Sequence, residues 1–392
     1  MREAVIVSGA RTAIGSFQGA LSTVPVGRLG AAAIREAVAR SGVPGDQVDG
    51  VIMGCVLTGA VGQAPARQAT IWGGLPHSVP ATTVGKVCGS GLRSVMLAAA
   101  EIRCGDAEVM VAGGMESMTN APYALPAARG GLRMGNGEIV DTMVNDGLFD
   151  VYNRYHMGMA AELCAAEMGI TREMQDAFAA ESYRKAQDAV TRGLFRREIA
   201  GVEVPQKKGD PVIFDTDEEP FKSKIDRIPT LKPAFKKDGT VTAANASSIN
   251  DGAAAVVVTS EARARELGAK AAFRIVGGAS HAQAPEWFTT APAYAIQKAW
   301  KKTGLTDRDI DVYEINEAFS VVSLAVNRLC ELDQSRINLR GGAVALGHPI
   351  GASGTRVLVT LMHVMEDTGA RRGLTSLCIG GGEAVALIIE RI

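Results

Sequence analysis

Apolar positions along the chain follow two periods. Residues 4–8, 51–54, 105–114, 252–260, 312–315 and 384–390 are short apolar runs that read as strands, the first continuing a pattern that covers 1–10. Residues 29–39, 92–102, 157–168, 172–191 and 293–301 carry the helical period instead. Strands that alternate with helices predict α/β units whose sheets are largely parallel and covered on both faces.

Two stretches of this pattern resemble each other. Ser41-Gly42-Val43 leads to Val48-Asp49-Gly50-Val51-Ile52-Met53-Gly54, and at the same spacing Thr303-Gly304-Leu305 leads to Ile310-Asp311-Val312-Tyr313-Glu314-Ile315-Asn316. Ser90-Gly91-Leu92-Arg93 then matches Ser353-Gly354-Thr355-Arg356, each pair opening a helical pattern. Residues 109–116 (VMVAGGME) match 376–383 (SLCIGGGE). In the second stretch a strand follows at once; in the first its counterpart comes only at 252–260, so 119–249 reads as an insertion. The expected organisation is a first half of residues 1–118 plus 250–271, an inserted region at 119–249 and a second half at 272–392. The alternative, chance similarity within one irregular α/β domain, has to explain three matches that keep chain order.

Length supports this, because 392 residues exceed what one core usually holds. Lys plus Arg (41) against Asp plus Glu (42) gives a net charge of −1, which leaves a nucleic-acid partner without an electrostatic footprint. No run is apolar enough to span a membrane, the N-terminus has neither a signal nor a transit pattern, and Glu390-Arg391-Ile392 is not a peroxisomal address. None of the six cysteines sits in a Cys-x-x-Cys pair, so neither a metal site nor a redox motif is expected, and scattered thiols suit a reducing cytoplasm.

Four places carry candidate chemistry. Cys88, in Gly85-Lys86-Val87-Cys88-Gly89-Ser90-Gly91, sits directly before a helix, where the macrodipole and free N–H groups favour thiolate. The blander reading is a small residue in a strand-to-helix turn. His348, in Gly347-His348-Pro349-Ile350-Gly351, occupies the matching loop of the second half, so the repeat brings a thiol and an imidazole face to face, the arrangement of an activated nucleophile. Cys378 ends a strand whose counterpart residue is Val111, so the half-fold does not require a thiol there; it reads as a second acid/base or as a buried core cysteine. Gly380 beside it can present a bare N–H to an oxyanion. Asn316 ends a strand opposite Gly54 and reads as a helix cap, or as an amide that positions a water or a substrate oxygen.

Together these motifs resemble the thiolase family. The resemblance rests on the Cys88 loop, Asn316-Glu317-Ala318-Phe319, Gly347-His348-Pro349-Ile350-Gly351 and Cys378-Ile379-Gly380-Gly381-Gly382, with Arg11-Thr12-Ala13-Ile14-Gly15-Ser16-Phe17 and residues 243–252 (AANASSINDG) beside them. It implies a thiolase-like fold, two duplicated α/β halves in a five-layer αβαβα core with an inserted loop domain. It also implies a reversible Claisen condensation of two acetyl-CoA through an acyl-Cys88 thioester. In that scheme His348 takes the Cys88 proton and helps bind an oxyanion, and Cys378 exchanges the α-proton of acetyl-CoA. Asn316 holds a water, and the N–H groups of Cys88 and Gly380 form the second oxyanion site.

By the same resemblance the inserted region binds coenzyme A, with Leu148, His156, Met157, Phe235, Ala243, Ala246, Ser247, Ala318 and Phe319 along the pantetheine path. The family's usual Arg near the nucleotide is missing: Asp217-Glu218-Glu219-Pro220 is followed by Phe221 and Lys222, which are expected to stack on adenine and supply charge. No resident cofactor is expected; coenzyme A and acyl-CoA enter as substrates. A cytoplasmic homo-oligomer, dimer or tetramer, working in fatty acid metabolism is the expected setting, and the apolar strand at 105–114 is a candidate for pairing across a two-fold axis. His156 favours short acetoacetyl-type substrates over the longer chains of a broad 3-ketoacyl-CoA thiolase. A condensing enzyme for acyl-carrier proteins usually has His where Cys378 stands. A non-catalytic acyl-CoA-binding subunit would not need Cys88, His348 and Cys378 intact.

Overall fold

A computed structural model describes residues 2–392; Met1, part of the first strand pattern, lies outside them. The first half contains β1 (Ala4–Thr12), α1 (Val26–Ser41), β2 (Gly50–Gly54), α2 (Pro65–Trp72), β3 (Ala81–Val84), α3 (Ser90–Cys104) and β4 (Val109–Ser117). After a long excursion carrying α4 (Met157–Glu167) and α5 (Arg172–Thr191), the chain returns as β5 (Asn250–Ser260). The second half runs β6 (Phe273–Ala282), α6 (Ala291–Thr303), β7 (Val312–Ile315), α7 (Ser320–Cys330), α8 (Ser353–Thr368), β8 (Arg372–Ile379) and β9 (Glu383–Arg391).

The repeated residues have local causes. Gly42 and Gly304 end α1 and α6 in the left-handed conformation, at φ 68° and 70°, which explains why both halves place Gly there. Ser90 and Ser353 open α3 and α8, and each hydroxyl donates back to the preceding turn, to the carbonyl of Val87 at 2.7 Å and of Pro349 at 2.8 Å.

The strands follow the order β7-β8-β9-β6-β1-β5-β4-β2-β3. The expectation of largely parallel sheets is wrong. β3 and β4 flank β2 in parallel and β7 pairs β8 in parallel, but β9 runs antiparallel to β8 and β6, and β5 antiparallel to β4 and β1. A connection as short as Gly380–Gly382 can only reverse the chain, so β9 must oppose β8, and β5 takes the equivalent place in the first half. The halves also share one continuous sheet, joined where Val5 pairs with Arg274 and Ile6 with Phe273 of β6.

Burial sorts the helices into layers. Leu29 and Ile34 of α1 pack with Val5, Val111 and Val257 on the outer face of the first half. Ile296 of α6 and Val322 of α7 pack with Ile315 and Ile388 on the outer face of the second. Leu92, Val95 and Ile102 of α3 lie with Leu358 and Leu361 of α8 between the two halves, against Ile6 and Val256 on one side and Leu377 and Leu387 on the other. The order is helices, strands, helices, strands, helices: the αβαβα core. The middle helices cross where a Cβ on Gly91 would lie 2.8 Å from the Thr355 nitrogen and one on Gly354 2.3 Å from the Leu92 nitrogen, a backbone approach that only glycine permits. That crossing draws the two helix N-termini, and the loops before them, together.

Buried Arg11 has a structural role. It donates to Glu198 at 2.7 Å and to both Asp217 oxygens at 2.7 and 2.9 Å, tying β1 to the excursion through a bidentate pair.

Candidate active site

Cys88, His348, Cys378 and Gly380 line one cavity of about 250 Å³. Leu148, His156, Met157, Phe235, Ala246, Ser247, Ala318 and Phe319 line it too. Ala243 is exposed and outside the lining. Phe221 and Lys222 are also outside it: Phe221 is 58% exposed, and the Lys222 ammonium bonds Ser16 Oγ and lies 3.9 Å from Glu219.

The loops before α3 and α8 present the thiol and the imidazole. Cys88 is half-buried, and the N–H groups of Gly380 and of Cys88 itself face its sulfur. The sequence pointed to a thiolate; the structure corrects this. Burial, opposed only in part by those two N–H groups, pushes the thiol up to about 12. The helix terminus is visible in sequence, but the apolar cavity that outweighs it is not.

His348 is held at two points. Its N–H donates to Asn250 Oδ1 at 2.9 Å, and its Nδ1 lies 2.6 Å from Ser353 Oγ. The single Ser353 hydroxyl proton goes to the Pro349 carbonyl, so Nδ1 is assigned as the donor to Ser353. Nε2 then carries the lone pair, and it is buried with no partner. Burial first, then the Arg356 charge, pushes the ring down to about 3, so the imidazole is neutral, as a base must be. Cys378 lies well above the ordinary thiol range because of burial and the neighbouring Cys88 sulfur.

The reading of Asn316 as a helix cap is also wrong, because α7 begins only at Ser320 with Phe319 at its N-cap. The buried Asn316 amide instead lies 3.5 Å from His348 Nδ1 and 3.5 Å from Arg356 Nη2. His156 stacks on Phe235 at 4.7 Å, and its Nδ1 accepts from the Gly158 N–H at 3.1 Å. Burial lowers its pKa, leaving a neutral ring with a proton on Nε2 to donate.

Sequence reasoning missed Asn250, Ser353 and Arg356 as supports of the His348 region, and Met118, Phe288 and Ile350 as cavity wall. Ile350, Ser353 and Arg356 follow His348 within eight residues and were within reach of the motif; Asn250, Met118 and Phe288 come from other segments.

With both groups neutral at rest, ionisation of Cys88 rises with pH across the ordinary range. Loss of activity to iodoacetamide is therefore expected to accelerate about tenfold per pH unit between about pH 7 and 9, without a plateau. A plateau below pH 8 would mean that the thiol is already ionised in the free protein.

Fold and site together define a duplicated α/β protein with thiols and an imidazole at the seam of its halves. Comparison with known proteins carries this further. The model of the thiolase N-terminal domain matches residues 4–262, and that of the thiolase C-terminal domain matches residues 269–391. Proteins named acetyl-CoA acetyltransferase from Pseudomonas aeruginosa and Cupriavidus necator are each 54% identical over 392 residues, covering all of both chains. One of that name from Schizosaccharomyces pombe is 47% identical, covering all of this chain and 99% of its own. The chain belongs to the thiolase family.

Proposed function

We propose that the protein is an acetyl-CoA C-acetyltransferase, an acyltransferase that condenses two acetyl-CoA into acetoacetyl-CoA and coenzyme A and runs the same steps backwards. The observation that carries this reading is the convergence of Cys88, His348, Cys378 and the Gly380 N–H on one cavity. The full-length similarity to proteins of that name supports the same activity.

In this reading the Cys88 sulfur attacks the thioester carbonyl while His348 Nε2 takes its proton. Coenzyme A leaves as a thiol with the proton of Cys378, His348 keeps that of Cys88, and the acetyl group stays on Cys88. The Cys378 thiolate then takes an α-proton from a second acetyl-CoA, and the carbanion attacks the acyl-Cys88 carbonyl. The Cys88 sulfur leaves as the new carbon–carbon bond closes and takes its proton back from His348. The N–H groups of Cys88 and Gly380 receive the oxyanion on the acyl group, while His348 and a water held by Asn316 receive the oxygen of the attacking thioester. Both cysteines need a base or a bound substrate to ionise, which keeps the empty site slow to react at neutral pH.

Residues 119–249 serve as the coenzyme A-binding region of this scheme, with His156 donating from Nε2 to the substrate and Phe221 and Lys222 left for the nucleotide at the surface. The reading also takes the protein to be a cytoplasmic homo-oligomer, dimer or tetramer, in fatty acid metabolism. A cavity of about 250 Å³ walled by Met118, Met157, Phe288 and Ile350 favours short acyl groups. Thiolysis with coenzyme A across chain lengths is the test. Consumption of acetoacetyl-CoA is expected, with kcat/KM falling at least about tenfold for 3-ketoacyl chains of eight or more carbons. Equal rates would favour a broad 3-ketoacyl-CoA thiolase, and no consumption at all would refute the activity.

A further inference from the structure

The two N–H groups that face the Cys88 sulfur belong to different halves. Cys88 lies on the loop before α3, and Gly380 on the hairpin between β8 and β9. An oxyanion site works only if both donors stay at hydrogen-bond range of the same point. The chain around Cys88 holds itself only in part: Ser90 Oγ bridges the Lys86 N–H and the Val87 carbonyl, but Val87, β-branched and next to the nucleophile, has φ 43°, a conformation such residues rarely keep without further support.

That support is visible. The Lys86 ammonium bonds Glu383 Oε2 across the seam, while the Lys86 backbone N–H donates to Ser90 Oγ at 2.8 Å. Glu383 is the first residue of β9 and pairs with Ile379, so it closes the hairpin that carries Gly380. Neither residue has another ion pair among the described residues, and their side chains are 23% and 37% exposed. Gly89 seats the same loop on Ile379, where a Cβ would come within 2.3 Å of Ile379 Cδ1.

We propose that Lys86 and Glu383 are positioning residues, an ionic clamp that fixes the distance between the Cys88 and Gly380 N–H groups and so sets the geometry of the second oxyanion site. This rests on the thiolase activity proposed above. A pair this exposed contributes little to stability, so its effect falls on turnover.

The test uses the full-length protein and acetoacetyl-CoA thiolysis, with Lys86→Met, Glu383→Gln and the exchanged pair Lys86→Glu/Glu383→Lys. Each single variant is expected to lose about tenfold in kcat, less than deletion of a donor costs, with KM for coenzyme A within about twofold. Melting temperatures are expected to stay within about 2 °C of the wild type. The exchanged pair is expected to recover most of the lost kcat, which a generally damaged structure would not do. Unchanged kcat in both single variants overturns the proposal, as does an exchanged pair no better than the singles. A rise in KM alone overturns it too, pointing to contact with coenzyme A. A wild type without thiolysis sinks the activity itself; an active wild type with indifferent variants sinks only the clamp.

Discussion

Cys88→Ala is expected to fold normally and to lose on the order of 10⁴ or more in kcat for both condensation and thiolysis. The loss is large because acyl transfer requires a nucleophile and the cavity holds no substitute. Cys378 points into the same space, but its thiol is fully buried and lies well above the ordinary range, so it is harder to ionise. The backbone N–H groups that face the sulfur survive the substitution, so what is removed is the covalent step, not the oxyanion site. Stability should change by no more than about 1 kcal/mol, since the side chain is small and half-buried. Intact mass after incubation with acetyl-CoA gives a second readout. The wild type is expected to gain one acetyl group, and Cys88→Ala none. Acetylation of the variant, or turnover within tenfold of wild type, would remove Cys88 from the nucleophile's role.

Gly354→Ala is the second large effect, and it concerns folding. The added Cβ would stand 2.3 Å from the Leu92 nitrogen and 2.8 Å from the Leu92 Cβ, and backbone inside the middle helix layer cannot swing aside. A loss of at least about 3 kcal/mol is expected, seen as a melting temperature several degrees lower or as insoluble protein. Gly130→Ala is the control: a Cβ there meets nothing within 4 Å, and its melting temperature should match the wild type. Equal stability of both variants would show that the helix crossing has slack. The surviving soluble fraction of Gly354→Ala is expected to be less active too, because the crossing aims both loops at the cavity.

What was legible in the sequence was local or repeated. The Ser-Gly pairs announce the starts of α3 and α8, the matched glycines announce the ends of α1 and α6, and the repeat places Cys88 opposite His348. The reversal at β9 was legible in the short Gly380–Gly382 link and was overlooked, whereas the direction of β5, which returns after a long excursion, was not, because an apolar run looks the same whichever way it travels. The ionisation of Cys88 was misread because the helix N-terminus is contiguous with the cysteine, whereas the wall that buries it comes from residues as distant as Met118 and Phe288. Asn316 was misjudged by three residues of chain, the distance to the true N-cap at Phe319. The hold of Asn250 and Ser353 on His348 depends on side-chain angles that no spacing reveals.

Ser90 and Ser353 brace their loops in the same way, each turning its hydroxyl back onto the carbonyl before its helix. One scaffold therefore serves a sulfur on one side and a ring nitrogen on the other, and the difference in reactivity comes from the residues mounted on it. A gene copy with two identical loops would have set like against like across the middle. Departure from likeness at those two mounts is what turns a mirrored frame into a donor and an acceptor of protons.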